Sequence, residues 1–85
     1  MKNRSRTDII ADILRASLKG TNKTKLMYRS FLSYQQFKSY LEILVSRGLI
    51  EYDKKSDTYS TSAKGKAFLE TLDALNEAIR IRKAA

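Results

Sequence analysis

The stretch Leu32-Ser33-Tyr34-Gln35-Gln36-Phe37-Lys38-Ser39-Tyr40-Leu41-Glu42-Ile43-Leu44-Val45-Ser46-Arg47-Gly48 decides the fold. Ser33 and Gln36 match the S-x-x-Q capping box, in which each side chain takes up a backbone N–H of the other's residue at a helix start. Leu32 before the cap and Phe37 at the fourth helical position are spaced for a hydrophobic staple. Phe37, Leu41 and Leu44 then form an apolar stripe, flanked by Tyr34 and Tyr40. At about 100° per residue, Gln35, Lys38, Ser39, Glu42 and Ser46 fall on the opposite side, with Ile43 at its border. The spacing predicts a helix to about Arg47, ended by Gly48.

Upstream, Ile9, Ile10, Ile13, Leu14 and Leu18 recur at helical spacing and predict a helix over about 7–19. Ser5 or Thr7 can cap its start, and Gly20 suits its end. Thr21 is the expected cap of a short second helix over about 22–28, with Leu26 and Met27 on its apolar side. Downstream, residues 49–53 and 58–61 are β-prone runs joined by the polar connector Lys54-Lys55-Ser56-Asp57, which reads as a hairpin. Ser62 is placed to cap a last helix running toward the C-terminus.

This order predicts a mainly α fold with a small β-hairpin. Two helices joined by a tight turn, the second exposing a polar face, read as a helix-turn-helix, and the hairpin after it reads as a wing. Residues 1–66 are expected to form this winged domain and residues 67–85 a C-terminal helix. A helix fits the DNA major groove, and residues near its N-terminus can reach base edges.

Composition is consistent with that reading and removes others. The 85 residues suit one domain, and a hydrophobic content of 42% is enough for a core rather than a disordered chain. The absence of cysteine and histidine excludes disulfides, zinc fingers and Ser–His or Cys–His triads, so no cofactor or metal is expected and the chain does not read as an enzyme. The basic start is interrupted by Asp8 and Asp12, so no secretory signal is expected, and no run has the length of a membrane span. The net charge of +8 is unevenly spread. Residues 1–30 hold eight basic and two acidic side chains, whereas residues 67–85 hold three of each. Such asymmetry points to a polyanionic partner, the bland alternative being a solvated surface that serves solubility.

Within this frame Gln35 suits adenine, Ser39 most bases, and Lys38 guanine or phosphate. Glu42 on the same face could accept from cytosine or repel phosphate. Ser33 and Gln36 at the helix start complete the candidate reading surface. Lys54 and Lys55 at the wing tip suit phosphate or the minor groove. Lys23, Thr24, Lys25 and Arg29 belong to the second helix, whose N-terminus could accept a phosphate. Arg4 and Arg6 read either as a loose basic arm or as a solubilising tail. The five tyrosines and three phenylalanines could form an exposed stacking platform for single strands or RNA, but the favoured reading is packing: Phe31, Phe37, Tyr40 and Phe68 in the core, and Tyr28 and Tyr34 against the turn.

In the last helix Phe68, Leu72, Leu75 and Ile79 recur at a/d spacing over about two heptads. They read as a dimer seam, the alternative being packing on the first helix. Leu69 lies off the seam, where it could serve the domain side.

Several of these segments resemble an archaeal winged-helix family. Lys23-Thr24-Lys25-Leu26-Met27-Tyr28 is similar to its K-T-[KR]-[IL]-M-Y stretch. Leu32-Ser33-Tyr34, then Tyr40-Leu41 and Leu44, then Gly48-Leu49-Ile50 continue in register. Tyr59 with Lys64-Gly65 resembles the Y-x-L-T-x-K-G motif that leads into the last helix. The family includes the small 10a chromatin-associated DNA-binding proteins. The resemblance implies a winged-helix homodimer joined by antiparallel pairing of the C-terminal helix, bound to double-stranded DNA in the cytoplasmic nucleoid. Thr61 and Ser62 depart from the motif's leucine and threonine, and the final helix is shorter than is usual in the family.

The leading expectation is therefore a transcription regulator or chromatin-associated protein that binds duplex DNA. The alternative from another class is a winged-helix module that docks a protein partner, with Ile43 in its surface, and has little DNA affinity.

Overall fold

The computed structural model describes residues 4–84 of the chain, with side chains through Ile79. The elements run α1 (Arg6–Ala16), α2 (Lys23–Ser30), α3 (Tyr34–Ser46), β1 (Ile50–Asp53), β2 (Thr58–Thr61) and α4 (Ala63–Ala84). This is a winged-helix fold, mainly α with one antiparallel hairpin and a C-terminal helix. Among the described residues no helix is long and apolar enough to cross a membrane, and no cluster of acidic side chains is arranged to hold a metal ion.

Helix α1 is the centre of the domain. Its buried Ile9, Ile13 and Leu14 meet Leu26 of α2, Phe37, Leu41 and Leu44 of α3, Ile50 of β1 and Leu69 of α4. Leu32 and Tyr40 pack around this core, as the staple and stripe predict, and Leu49, Phe68 and Leu72 join them. Ser5 opens α1 with its own capping box, accepting from the Asp8 N–H at 3.0 Å while Asp8 accepts from the Ser5 N–H at 3.2 Å. Each such cap contributes about 1 kcal/mol by satisfying donors that the helix itself cannot use.

The hairpin pairs Ile50 with Thr61, Glu51 with Ser60, Tyr52 with Tyr59 and Asp53 with Thr58. Thr21 adds a bridge on the other edge, exchanging backbone hydrogen bonds with Tyr59 at 2.9 and 2.8 Å. That bridge corrects the expected cap of α2. With Thr21 extended, buried and committed to β2, Asn22 is the N-cap, and its side chain accepts from the Lys25 N–H at 2.9 Å.

Four other expectations are corrected. Helix α1 ends at Ala16 rather than near residue 19, because buried Ser17 turns its hydroxyl back to the Ile13 and Leu14 carbonyls; Leu18 is left exposed. Arg4 is not a loose arm. Its guanidinium binds Asp12 at 2.9 Å and the carbonyls of Ser30 and Phe31 at 2.8 and 2.9 Å, tying the start of the chain to the C-terminus of α2. Phe31 is not in the core: it is 81% exposed, as the left-handed C-cap of α2 at φ 56°. Tyr28 and Tyr34, expected to pack against the turn, are exposed as well.

Ser62 caps α4, accepting from the Gly65 N–H at 3.1 Å and donating to the Gly48 carbonyl at 2.5 Å. Gly65 itself is a close-approach position. A Cβ there would collide with the Leu49 carbonyl oxygen and lie 2.6 Å from Thr61 Cγ2, so only glycine lets the first turn of α4 rest on the segment before β1.

Candidate nucleic-acid interface

The capping box fixes where α3 begins and therefore which side chains it presents. Ser33 Oγ accepts from the Gln36 N–H at 3.3 Å, and Gln36 Oε1 accepts from the Ser33 N–H at 3.4 Å. These two residues, expected to reach DNA, are engaged with each other, leaving the Gln36 amide nitrogen as the part able to reach outward. Gln35, Lys38, Ser39 and Glu42 lie exposed along the face opposite Phe37, Leu41 and Leu44. Among the described residues, the side chains of Gln35, Lys38 and Ser39 make no hydrogen bond to the rest of the chain. Ser46 differs, since its hydroxyl donates to the Ile43 carbonyl at 2.9 Å.

Helix α2 and the hairpin border this face on one side. Lys23 of α2, Lys38, Glu42 and Ser46 of α3, and Tyr52 and Tyr59 of the hairpin line an open groove of about 350 Å³. The structure thus brings Lys23 toward Lys38. It does not bring all four expected α2 residues together: Lys25 and Arg29, four apart, share another exposed face, and Thr24 lies beside them. Between Asp12 and Glu42 the chain has no acidic residue and six basic ones, so the helix-turn-helix surface has one sign of charge up to Glu42.

The wing tip is ordered by its own side chains. Asp53 accepts from the Lys55 N–H at 3.0 Å, the Ser56 and Thr58 hydroxyls lie 2.7 Å apart, and the Tyr52 hydroxyl donates to Asp57 at 2.7 Å. The last bond, with the Asp57 charge beside it, raises the Tyr52 phenol above its ordinary value. Asp57, at φ 55°, completes the turn. Lys54 and Lys55 are exposed at this tip, with Asp53 and Asp57 beside them. The wing is therefore a pair of local cations on a locally neutral loop.

The aromatic residues around the turn are what sequence reasoning missed. One signal was present: Tyr34 lies four residues before Lys38, so the two share a row on α3, and Lys38 already belonged to the open face. The four expected seam residues divide. Phe68 and Leu72 are partly buried against the domain core, whereas Leu75 and Ile79 are 56% and 47% exposed farther along α4. Leu69 is buried on the domain side.

Comparison with known proteins agrees with this geometry. The profile of the winged helix-turn-helix family matches residues 3–80. A search of curated proteins finds no match. Among solved structures, the chain is similar to Sso10a-2, a DNA-binding protein from Sulfolobus solfataricus, with 28% sequence identity and a TM-score of 0.77 over 95% of this chain and 84% of that one. A helix-turn-helix capped at Ser33, a hairpin wing over residues 50–61 and a profile match along nearly the whole chain lead to one assignment: the protein belongs to the winged helix-turn-helix family.

Proposed function

We propose that this protein binds double-stranded DNA with α3 in the major groove, as a homodimer that acts in transcription regulation or chromatin organisation. The observation that carries the reading is the outer face of α3. Gln35, Lys38 and Ser39 stand there side by side, exposed and unused by the fold, at the end of the helix that can reach base edges. Lys23 and the wing lysines flank that face, where they would meet phosphate. The unbroken positive charge from Arg15 to Lys38 supplies the long-range attraction. The likeness to Sso10a-2, itself described as DNA-binding, supports the same partner. Gln36 contributes through its free amide nitrogen, and Thr24, Lys25 and Arg29 through a neighbouring stretch of backbone. DNA as partner would place the protein with the cytoplasmic nucleoid.

One observation favours the second reading, a protein-docking module. Ile43 is half-exposed and lines a groove with Ile10 and Arg6 between α1 and α3.

Titrating fluorescent duplex DNA at several salt concentrations tests both. DNA binding requires tight association at low salt and a log–log slope of about −0.9 for each phosphate neutralised. Little association at low salt would reject it and leave the docking module. Selection of bound duplexes from a random pool then separates the two finer roles: a shared motif means a regulator, and none means an architectural protein.

A further inference from the structure

We propose that Phe31 and Tyr34, with Tyr28 beside them, form an apolar contact surface for duplex DNA, packing on thymine methyl groups next to the bases that α3 reads. The inference rests on the DNA-binding function proposed above and adds a second kind of contact to it.

Three aromatic residues within seven positions are open to solvent: Tyr28 at 69%, Phe31 at 81% and Tyr34 at 56%. The fold makes no use of these rings. The Tyr28 and Tyr34 hydroxyls have no hydrogen-bond partner among the described residues, and Phe31 is not part of the core. Phe31 also occupies a left-handed backbone position, φ 56° and ψ 45°, where glycine or asparagine ordinarily closes a helix. A bulky side chain is disfavoured there, and such outliers concentrate where structure serves binding. The backbone at this point is held firmly. The Phe31 N–H donates to the Tyr28 carbonyl at 3.1 Å, and its own carbonyl accepts from Arg4 at 2.9 Å. The ring is thus presented outward from a fixed turn.

Position and charge identify the occupant. The patch spans the turn between α2 and α3, and Tyr34 directly precedes Gln35. It lies in the segment between Asp12 and Glu42 that has basic residues and no acidic ones. A second copy that met this surface with its own basic helix-turn-helix would be repelled. Duplex DNA combines the two required properties, dense negative charge and an apolar group in the major groove, the thymine C5-methyl.

The test uses the full chain and one A·T-rich duplex, made once with thymine and once with deoxyuridine in every thymine position. Removing a contacted methyl should weaken the native protein about three- to fivefold per methyl, the usual effect of losing one buried methyl group. Phe31→Asn keeps a residue suited to the left-handed turn, and Tyr34→Ala leaves the Ser33 cap in place. Thermal unfolding checks that both remain folded. Each variant should bind thymine DNA more weakly than the native chain and discriminate less between the two duplexes. Equal native affinity for both duplexes, or full discrimination retained by both variants, overturns the aromatic contact while leaving DNA binding standing. Failure of the native chain to bind either duplex at low salt overturns both readings. Loss of a protein partner by the variants, with DNA affinity unchanged, would assign the patch to protein docking and also overturn the proposal.

Discussion

The hydroxyls of Ser17 and Thr61 lie 2.8 Å apart inside the core, joining the end of α1 to the end of β2. The one hydroxyl hydrogen of Thr61 goes to the Leu14 carbonyl at 2.6 Å, so within the pair Thr61 accepts, and the Thr61 N–H reaches the Ser17 carbonyl at 3.0 Å. The hairpin that becomes the wing is therefore bolted to the central helix by polar contacts at its base. Every buried side-chain polar atom among the described residues has a partner, so these hydroxyls cost little to bury.

Thr61→Val keeps the shape and removes the hydroxyl. It should destabilise the fold by about 1 kcal/mol, because Ser17 can still donate to the Ile13 carbonyl. Ser17→Ala alone should cost a similar amount, and the double variant less than their sum by about 0.5 kcal/mol or more. Urea unfolding of the four proteins measures this. Strict additivity would mean that the two hydroxyls act separately.

The same pair shows what a sequence carries and what it does not. Leucine at position 61, as in the related motif, and threonine both end a strand, so the strand was legible but its polar partner across the chain was not. Capping residues and the spacing of Phe37, Leu41 and Leu44 act over a few positions, which is why α3 and its open face were readable from the chain alone. Thr21 was misassigned because its partner, Tyr59, lies far along the sequence and competes with local capping. Phe31 was misplaced for the converse reason: hydrophobicity predicts burial, but the backbone at a helix C-cap decides where a ring points. Arg4 meets the carbonyls of Ser30 and Phe31, which no local pattern announces.

Gly65→Ala should be among the most damaging single-atom additions in the chain. The new Cβ meets the Leu49 carbonyl and Thr61 Cγ2, both held by the packing of α4 on the hairpin base. Although alanine favours helix, overpacking at such a site costs about 1–3 kcal/mol. A lowered urea midpoint with an unchanged slope is the expected result; a raised midpoint would show that α4 can lift away freely.

On the DNA-facing side, Gln35 and Ser39 are expected to behave differently from Lys54 and Lys55. Gln35→Ala or Ser39→Ala should weaken a selected site by about 1–3 kcal/mol and random DNA much less, if either reads a base. Lys54→Ala or Lys55→Ala should weaken all sequences nearly alike and reduce the salt slope by about 1. Equal loss on every sequence for the α3 variants would demote them to backbone contacts. An unchanged slope for the wing variants would take the tip away from phosphate.

Assembly through α4 is the remaining proposal, and the split of its seam makes a sharp test available. Phe68 and Leu72 face the domain's own core, so they cannot be altered without disturbing the fold. Leu75 and Ile79 lie one and two turns farther out, half-open to water, beyond the Arg15–Asp73 ion pair of 2.7 Å that joins α1 to α4. Burying a Leu or Ile side chain gains about 1.5–3 kcal/mol, and association costs several kcal/mol of lost freedom. Two such residues from each copy therefore support a dimer of moderate strength. A two-fold pair would present two α3 helices to two half-sites. Leu75→Glu would bury a charge at the paired seam but, in a single chain, sits at a half-exposed position outside the core, so thermal unfolding of the winged domain should change little. Sedimentation at micromolar concentration should show a dimer for the native chain and a monomer for Leu75→Glu. A native monomer, or a dimer that survives the substitution, would mean that this seam does not join the subunits.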